Sequence, residues 1–224
     1  MSNRVRELYR QDGVILHKSH FVYSRKADGT WPHSDNFVDA SRLSDASIRE
    51  LSKLLFERIV AQVGDDFQAV MGPARGAIPI IEEFVRLMPG LRPIIAKRND
   101  LGFFELSPCD VEWLNTARCL DQSRVRVVAV DDVLTKGTGI VRVARFATRQ
   151  LVEVLALGCL MDRSGELTAS TLGTQRFVCL WSHALPTFTE EECARIGPCS
   201  KGTPFDLEHG HAKEWLALQK SMTK

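Results

Sequence analysis

Apolar residues follow two alternating rhythms along this chain. Short unbroken runs, Gln68-Ala69-Val70-Met71, Arg92-Pro93-Ile94-Ile95-Ala96, Val127-Val128-Ala129-Val130, Val154 to Met161 and Arg176 to Trp181, end in polar or Gly-rich turns. Between them apolar positions recur every three or four residues: Ile48, Leu51, Leu55 and Ile59, then Ile78, Ile81, Phe84, Val85 and Met88, then Ile140, Val143, Ala144, Ala147 and Leu151. The first rhythm predicts strands buried on both faces and the second predicts amphipathic helices. Their alternation over 64–183 predicts an α/β fold: a mostly parallel sheet flanked by helices, with a ligand crevice at the carboxyl ends of the strands. Ser47 with Glu50 predicts a capping box in the first of these helices.

The two ends read differently. Val5, Leu8 and Tyr9 lie at helical spacing in Ser2 to Asp12, which predicts a short helix. From Gly13 to Ser41 aromatic and polar residues alternate, and Asp28-Gly29 separates two runs, which predicts a β-hairpin. The expected organisation is an N-terminal helix and hairpin over 1–43, a core over 44–184, and a C-terminal extension packed on that core over 185–224.

Charge narrows the partners. Lys and Arg number 29 against 28 Asp and Glu, a net charge of +1, so nothing calls for nucleic acid or an anionic membrane surface. No stretch is long and apolar enough to cross a bilayer and no leader pattern opens the chain, so a cytoplasmic protein is expected. The six Cys are scattered, and Cys159 and Cys179 sit inside strand-like runs, which fits a reducing compartment. Cys193, Cys199, His209 and His211 in the tail are residue types that bind Zn2+, but their spacing fits no common closed site. No protein-held metal is expected, and the role of these four is left open.

The chemistry concentrates in Val127 to Gly139, where four apolar residues run into Asp131-Asp132 and then Val133-Leu134-Thr135-Lys136-Gly137-Thr138-Gly139. Adjacent carboxylates at a strand end can accept hydrogen bonds from vicinal hydroxyls or hold a hydrated Mg2+, which takes oxygen ligands. Gly137 and Gly139 let backbone N–H groups turn inward, Thr135 and Thr138 add hydroxyls and Lys136 adds charge, a set suited to phosphate. The helix that follows would turn its positive N-terminal end to the same anion. Two Asp can also simply brace a turn. An acidic strand of a P-loop ATPase is excluded, because no G-x-x-x-x-G-K-[ST] segment exists.

This run resembles the 5-phosphoribosyl-1-pyrophosphate (PRPP) motif of type I phosphoribosyltransferases. The resemblance implies that Asp131 and Asp132 hold the ribose 2- and 3-hydroxyls and act in catalysis, and that Thr135, Lys136, Gly137, Thr138 and Gly139 wrap the 5-phosphate. Lys136 and Gly139 stand where that family usually has a hydroxyl residue. Gly72-Pro73-Ala74-Arg75-Gly76-Ala77 resembles the pyrophosphate loop, implying roles for Arg75 and Gly76. Lys97 and Arg98 end the next strand and would face the same leaving group, Lys97 also as a catalytic residue.

Asn99 to Asp121 fills the position of the family's mobile lid but lacks the Lys-x-His-Gly of orotate enzymes. Phe21 to Asp39 resembles the N-terminal hood of orotate phosphoribosyltransferases, with Phe21 near the base; it reads equally as a hairpin covering a sheet edge. Asp162-Arg163 resembles a pair in which the Arg meets the carboxylate of orotate, and it also describes an ordinary turn. The resemblance as a whole implies a homodimeric enzyme using PRPP and Mg2+, with orotate favoured and a purine base or a non-catalytic PRPP-sensing regulator as alternatives.

Overall fold

The computed structural model describes residues 2–26, 28–99, 103–121, 124–149 and 152–222. Leu151 of the predicted helical stripe and residues 100–102 of the predicted lid lie outside them, as does the side chain of Cys119. The elements run α1 (Ser2–Gln11), β1 (Ile15–Val22), β2 (His33–Val38), a 3-10 turn (Ala40–Arg42), α2 (Asp45–Val63), β3 (Ala69–Pro73), α3 (Ile78–Leu87), β4 (Arg92–Arg98), β5 (Phe104–Glu105), α4 (Pro108–Asp121), β6 (Arg126–Leu134), α5 (Thr138–Arg149), β7 (Glu153–Asp162), α6 (Ala169–Leu172), β8 (Phe177–Ser182), α7 (Glu190–Ile196) and α8 (Ala212–Met222). Among the described residues, no helix is long and apolar enough to cross a membrane.

Contacts divide the chain into two units, one of residues 1–8 with 43–184 and the other of residues 9–42 with 185–224. The tail therefore shares a unit with the N-terminal hairpin.

The first unit is the predicted α/β body. Its sheet has the order β5-β4-β3-β6-β7-β8, parallel throughout except for β5, which runs antiparallel on the edge beside β4. The apolar runs fill the interior: Val127, Val128, Ala129 and Val130 of β6 are each fully buried, as are Ala156, Cys159, Leu160 and Met161 of β7. One core cluster joins β3, β4, β6 and β7 to Ile140, Val143 and Ala147 of α5, the apolar stripe read from the sequence. Helix α2 buries Leu51, Leu55 and Ile59, and Gly158 lets it approach closely, since a Cβ there would lie 2.8 Å from the Ile59 Cδ1.

Two local expectations are corrected. The N-cap of α2 is Ser44, whose side chain accepts from the Ser47 N–H at 3.3 Å, while Glu50 instead grips Arg4 in two hydrogen bonds of 2.7 and 2.8 Å. Strand β6 does not stop at the carboxylates but pairs with β7 through Leu134, opposite Asp162. The predicted lid segment contains β5 and α4; Ser107 caps α4 by accepting from the Asp110 N–H, and Arg92 holds Asp110 at 2.8 Å.

In the second unit β1 and β2 pair antiparallel with Ile15 opposite Val38 and Val22 opposite His33, as the alternating pattern predicts. Gly29 takes a φ of +87° in the connecting turn, where Thr30 donates to the Asp28 carboxylate from both its N–H and its hydroxyl. Helix α7 starts with a capping box formed by Thr189 and Glu192. Val22, Trp31 and Ala212 form a small core with Phe205 and Trp215.

Candidate functional site

Strand β6 continues through Asp131 and Asp132, whose carboxyl groups interact with each other while each approaches a different loop. Asp131 faces the head of α5: a Cβ on Gly139 would sit 3.9 Å from its Oδ2. Asp132 faces the turn after β3: a Cβ on Gly76 would land on its carboxylate. Each carboxylate also accepts from the next backbone N–H, Asp131 Oδ1 from Asp132 at 3.0 Å and Asp132 Oδ1 from Val133 at 2.6 Å. Burial, then the Asp132 charge, raises the Asp131 carboxyl well above the usual range, while the Arg98 charge works the other way.

The two loops predicted from the sequence are thereby brought to one pair of carboxylates. The first turns tightly: Gly72 leaves no room for a Cβ between Ala77 and the Val130 carbonyl, the Ala74 N–H donates to the Ala96 carbonyl at 3.0 Å, and the Ala74–Arg75 peptide is cis. Arg75 is exposed there. In the second, Gly137 takes a φ of +64° and is packed against Leu172, while Thr135, Lys136 and Thr138 are exposed at the start of α5. The Val141 N–H donates to the Gly137 carbonyl at 3.0 Å, so the helix begins at the loop itself.

Lys97 and Arg98 end β4 exposed, and their backbones pair with Glu105 and Phe104 of β5. The Arg98 guanidinium lies 5.1 Å from the centre of the Phe104 ring, and its charge reaches Asp131. Arg163, buried at the end of β7, donates its backbone N–H to Leu134 at 2.9 Å. Its neighbour Asp162 is spent on the turn, accepting from the N–H groups of Ser164 and Leu167 and from the hydroxyls of Ser164 and Ser182.

Phe21 belongs to the other unit, in the hairpin strand β1. It is 1% exposed, with its ring against Phe37 at 5.5 Å and His209 at 6.4 Å.

The tail residues also part company. His209 is 3.1 Å from Asp206 and 3.6 Å from Asp39, and His211 is 2.9 Å from Glu214, so both are taken by carboxylates. Cys193 and Cys199 instead meet His20 of β1 and His33 of β2, with all four ligand atoms within 4.8 Å of one another. Burial, then the His33 ring, lowers His20 to about 4 against a backbone hydrogen bond to Thr203; burial lowers His33 too, and pushes the Cys199 thiol up to about 12. Sequence reasoning missed the two histidines because nothing local ties residues 20 and 33 to the tail. The Thr189-x-x-Glu192 capping box was readable as the start of the helix carrying Cys193, but it says nothing of the histidines.

No protein-family model matches the chain. Among curated proteins it is similar to the orotate phosphoribosyltransferase of Thermococcus gammatolerans, 27% identical over 154 residues covering 68% of this chain and 74% of that protein. It is also similar to those of Caldanaerobacter subterraneus, 26% over 198 residues (85% and 88%), and Thermotoga maritima, 25% over 214 residues (90% and 95%). Among solved structures, orotate phosphoribosyltransferase from Aeropyrum pernix superposes with a TM-score of 0.59 at 22% identity, covering 80% of this chain and 93% of that one. A phosphoribosyltransferase from Corynebacterium diphtheriae gives 0.54 at 18% identity, covering 81% and 95%. The chain has the phosphoribosyltransferase fold, and its sequence is similar to orotate phosphoribosyltransferases over most of its length.

Proposed function

We propose that this chain, built on the phosphoribosyltransferase fold, transfers 5-phosphoribosyl from PRPP to a ring nitrogen of a nucleobase and releases pyrophosphate. Orotate is the favoured base and orotidine 5′-monophosphate the product. The observation that carries the reading is the Asp131-Asp132 pair on a central strand, with one carboxylate at the head of α5 and the other at the turn carrying Arg75 and Gly76.

The chemistry follows from that arrangement. The carboxylates accept hydrogen bonds from the ribose 2- and 3-hydroxyls, while the loop from Thr135 to Gly139 and the N-terminal end of α5 hold the 5-phosphate. Pyrophosphate then leaves towards Arg75, Gly76, Lys97 and Arg98. As the bond to the anomeric carbon lengthens, positive charge grows on the sugar beside the two Asp and negative charge grows on the leaving group beside the cations. Both changes are stabilised by charges already in place. Asp131 and Asp132, adjacent on β6, present only oxygen donors, so the pair fits a hydrated Mg2+ held together with PRPP. When bound, the ion neutralises charge on the departing pyrophosphate. Arg163, which follows β7, is the residue we assign to the carboxylate of an acidic base. A homodimer is the expected assembly.

Lys136 and Gly139 in the phosphate loop, and a lid segment that is strand and helix in its described part, favour a second reading: a regulator that binds PRPP without turning it over. Incubation with PRPP, Mg2+ and a panel of orotate, uracil and purine bases separates the readings. Pyrophosphate release with orotate supports the first. PRPP binding with no release supports the second, and release only with a purine reassigns the base.

A further inference from the structure

His20, His33, Cys193 and Cys199 form a side-chain cluster that phosphoribosyl transfer does not use. From its geometry we infer that the cluster is a structural zinc site, closed by four protein ligands, which fastens the N-terminal hairpin to the C-terminal segment. The inference is independent of the reaction assigned to the carboxylates.

The ligand atoms are His20 Nε2, His33 Nδ1 and the two Sγ atoms. His20 Nε2 lies 3.6 Å from each sulfur, and His33 Nδ1 lies 3.5 Å from Cys199 Sγ. Zinc bonds of about 2.0–2.1 Å to nitrogen and 2.3 Å to sulfur, set at tetrahedral angles, put nitrogen and sulfur about 3.6 Å apart and two nitrogens about 3.3 Å apart. Three nitrogen–sulfur edges therefore already match the tetrahedron, and all four ligand atoms lie within 4.8 Å of one another. The two nitrogens stand 2.7 Å apart, so that edge opens by roughly half an ångström to admit the ion.

The surroundings favour a metal over four ordinary buried side chains. His20, His33 and Cys193 are at most 1% exposed, and His33 Nε2 has no hydrogen-bond partner. Two facing ring nitrogens share one proton at most, and thiols are weak partners, so the cluster leaves polar atoms poorly satisfied in a dry interior. A dication with two thiolates and two neutral imidazoles is electrically balanced, and all four atoms gain a strong bond. The rings are aimed from outside by aromatic neighbours: Phe205 stacks on His20 at 4.0 Å and Trp215 stands edge-on to His33 at 5.1 Å. The turn after α7 is shaped around sulfur, with the Cys199 N–H donating to Cys193 Sγ at 3.2 Å, while Gly197 passes so close that a Cβ would lie 3.0 Å from the same atom. Thiolate and imidazole ligands in a tetrahedron, with no open position, select zinc in a structural role. The ligands span 173 and 179 residues of chain, so the ion closes very long loops around a unit whose own apolar core is small.

Zinc binding forms two Zn–S and two Zn–N bonds and releases two thiol protons to solvent. The test uses the full chain, purified under reducing conditions without a metal-affinity step, with elemental analysis of the product. One zinc per chain is expected, retained in the Cys109→Ser control and reduced at least tenfold in Cys199→Ser and His33→Ala. Because loss of a ligand can itself unfold the chain, the deciding measurement is on the parent: zinc is removed with a chelator and Co2+ is titrated back. Saturation at one equivalent, with a thiolate-to-cobalt band and tetrahedral visible bands, supports the site. A metal-free protein that gives no tetrahedral cobalt spectrum overturns it. So does a Cys193–Cys199 disulfide recovered in place of two metal-protected thiols, or a zinc content unchanged by Cys199→Ser.

Discussion

Gly76 occupies a place where any side chain would collide with the Asp132 carboxylate. Gly76→Ala is therefore expected to push that carboxylate out of line and weaken PRPP binding at least tenfold, about 1.4 kcal/mol, while the circular dichroism of the fold is kept. Titration calorimetry with PRPP and Mg2+ reads the outcome, and unchanged affinity would detach the 72–77 turn from the site. Asp131 carries a second, energetic signature. Its folded pKa is raised above the reference 3.8, so the native state holds the proton more tightly than the unfolded chain does. As pH rises from the unfolded value through the folded one, unfolding releases that proton and native stability falls; the penalty is complete above the folded pKa. Asp131→Asn keeps an acceptor for the Asp132 N–H and removes the charge. The variant should match the parent near pH 4 and become the more stable protein as pH rises towards 8 in urea titrations. A gain that is equal at all pH values, or absent, would contradict the buried charge.

At the scale of elements, what could be read was what is local. The four-residue apolar run of β6 and the stripe Ile140, Val143 and Ala147 of α5 are patterns of one segment, and both elements formed where the period placed them. Ser47 with Glu50 has the pattern of a helix start, but it is Ser44 whose extended backbone leaves α2, a difference of backbone conformation that residue type does not record. The structure makes a separable prediction: Ser44→Ala should cost about 1 kcal/mol in urea unfolding. Glu50→Ala, which removes only a surface ion pair with Arg4, should cost less than the cap does. Equal costs would restore the box at Ser47 and Glu50. The end of β7 bears on specificity. If Arg163 meets the carboxylate of the base, Arg163→Ala should raise the KM for orotate by roughly 2 to 4 kcal/mol, about 30- to 1,000-fold, with PRPP affinity little changed. Uracil lacks that carboxylate and should be a poor substrate of both proteins. A variant that treats the two bases alike would move the acidic-base contact elsewhere.

At the scale of the whole molecule, local pattern falls silent where distant segments meet. The pairing of His20 and His33 with Cys193 and Cys199 spans most of the chain, and no periodicity records which strand a tail turn will touch. The sequence alone suggests a tail packed on the core, whereas contacts group it with residues 9–42. The paired carboxylates were legible for the opposite reason, since strand, acids and phosphate loop lie within thirteen consecutive residues. That compactness allows a test on the intact protein. A ligand that binds only the native state stabilises it by RT ln(1 + [L]/Kd), about 2.7 kcal/mol at a hundredfold excess over Kd. For a chain of this length, 1 kcal/mol moves the melting temperature by roughly 2–4 °C, so saturating PRPP with Mg2+ should raise it by about 5–10 °C. Asp131→Asn combined with Asp132→Asn should melt as a folded protein, yet show no shift with PRPP. Orotate without PRPP should shift neither protein as far. If the double variant still rises with PRPP as the parent does, the sugar phosphate is bound away from these acids, and the proposed reaction loses its foundation.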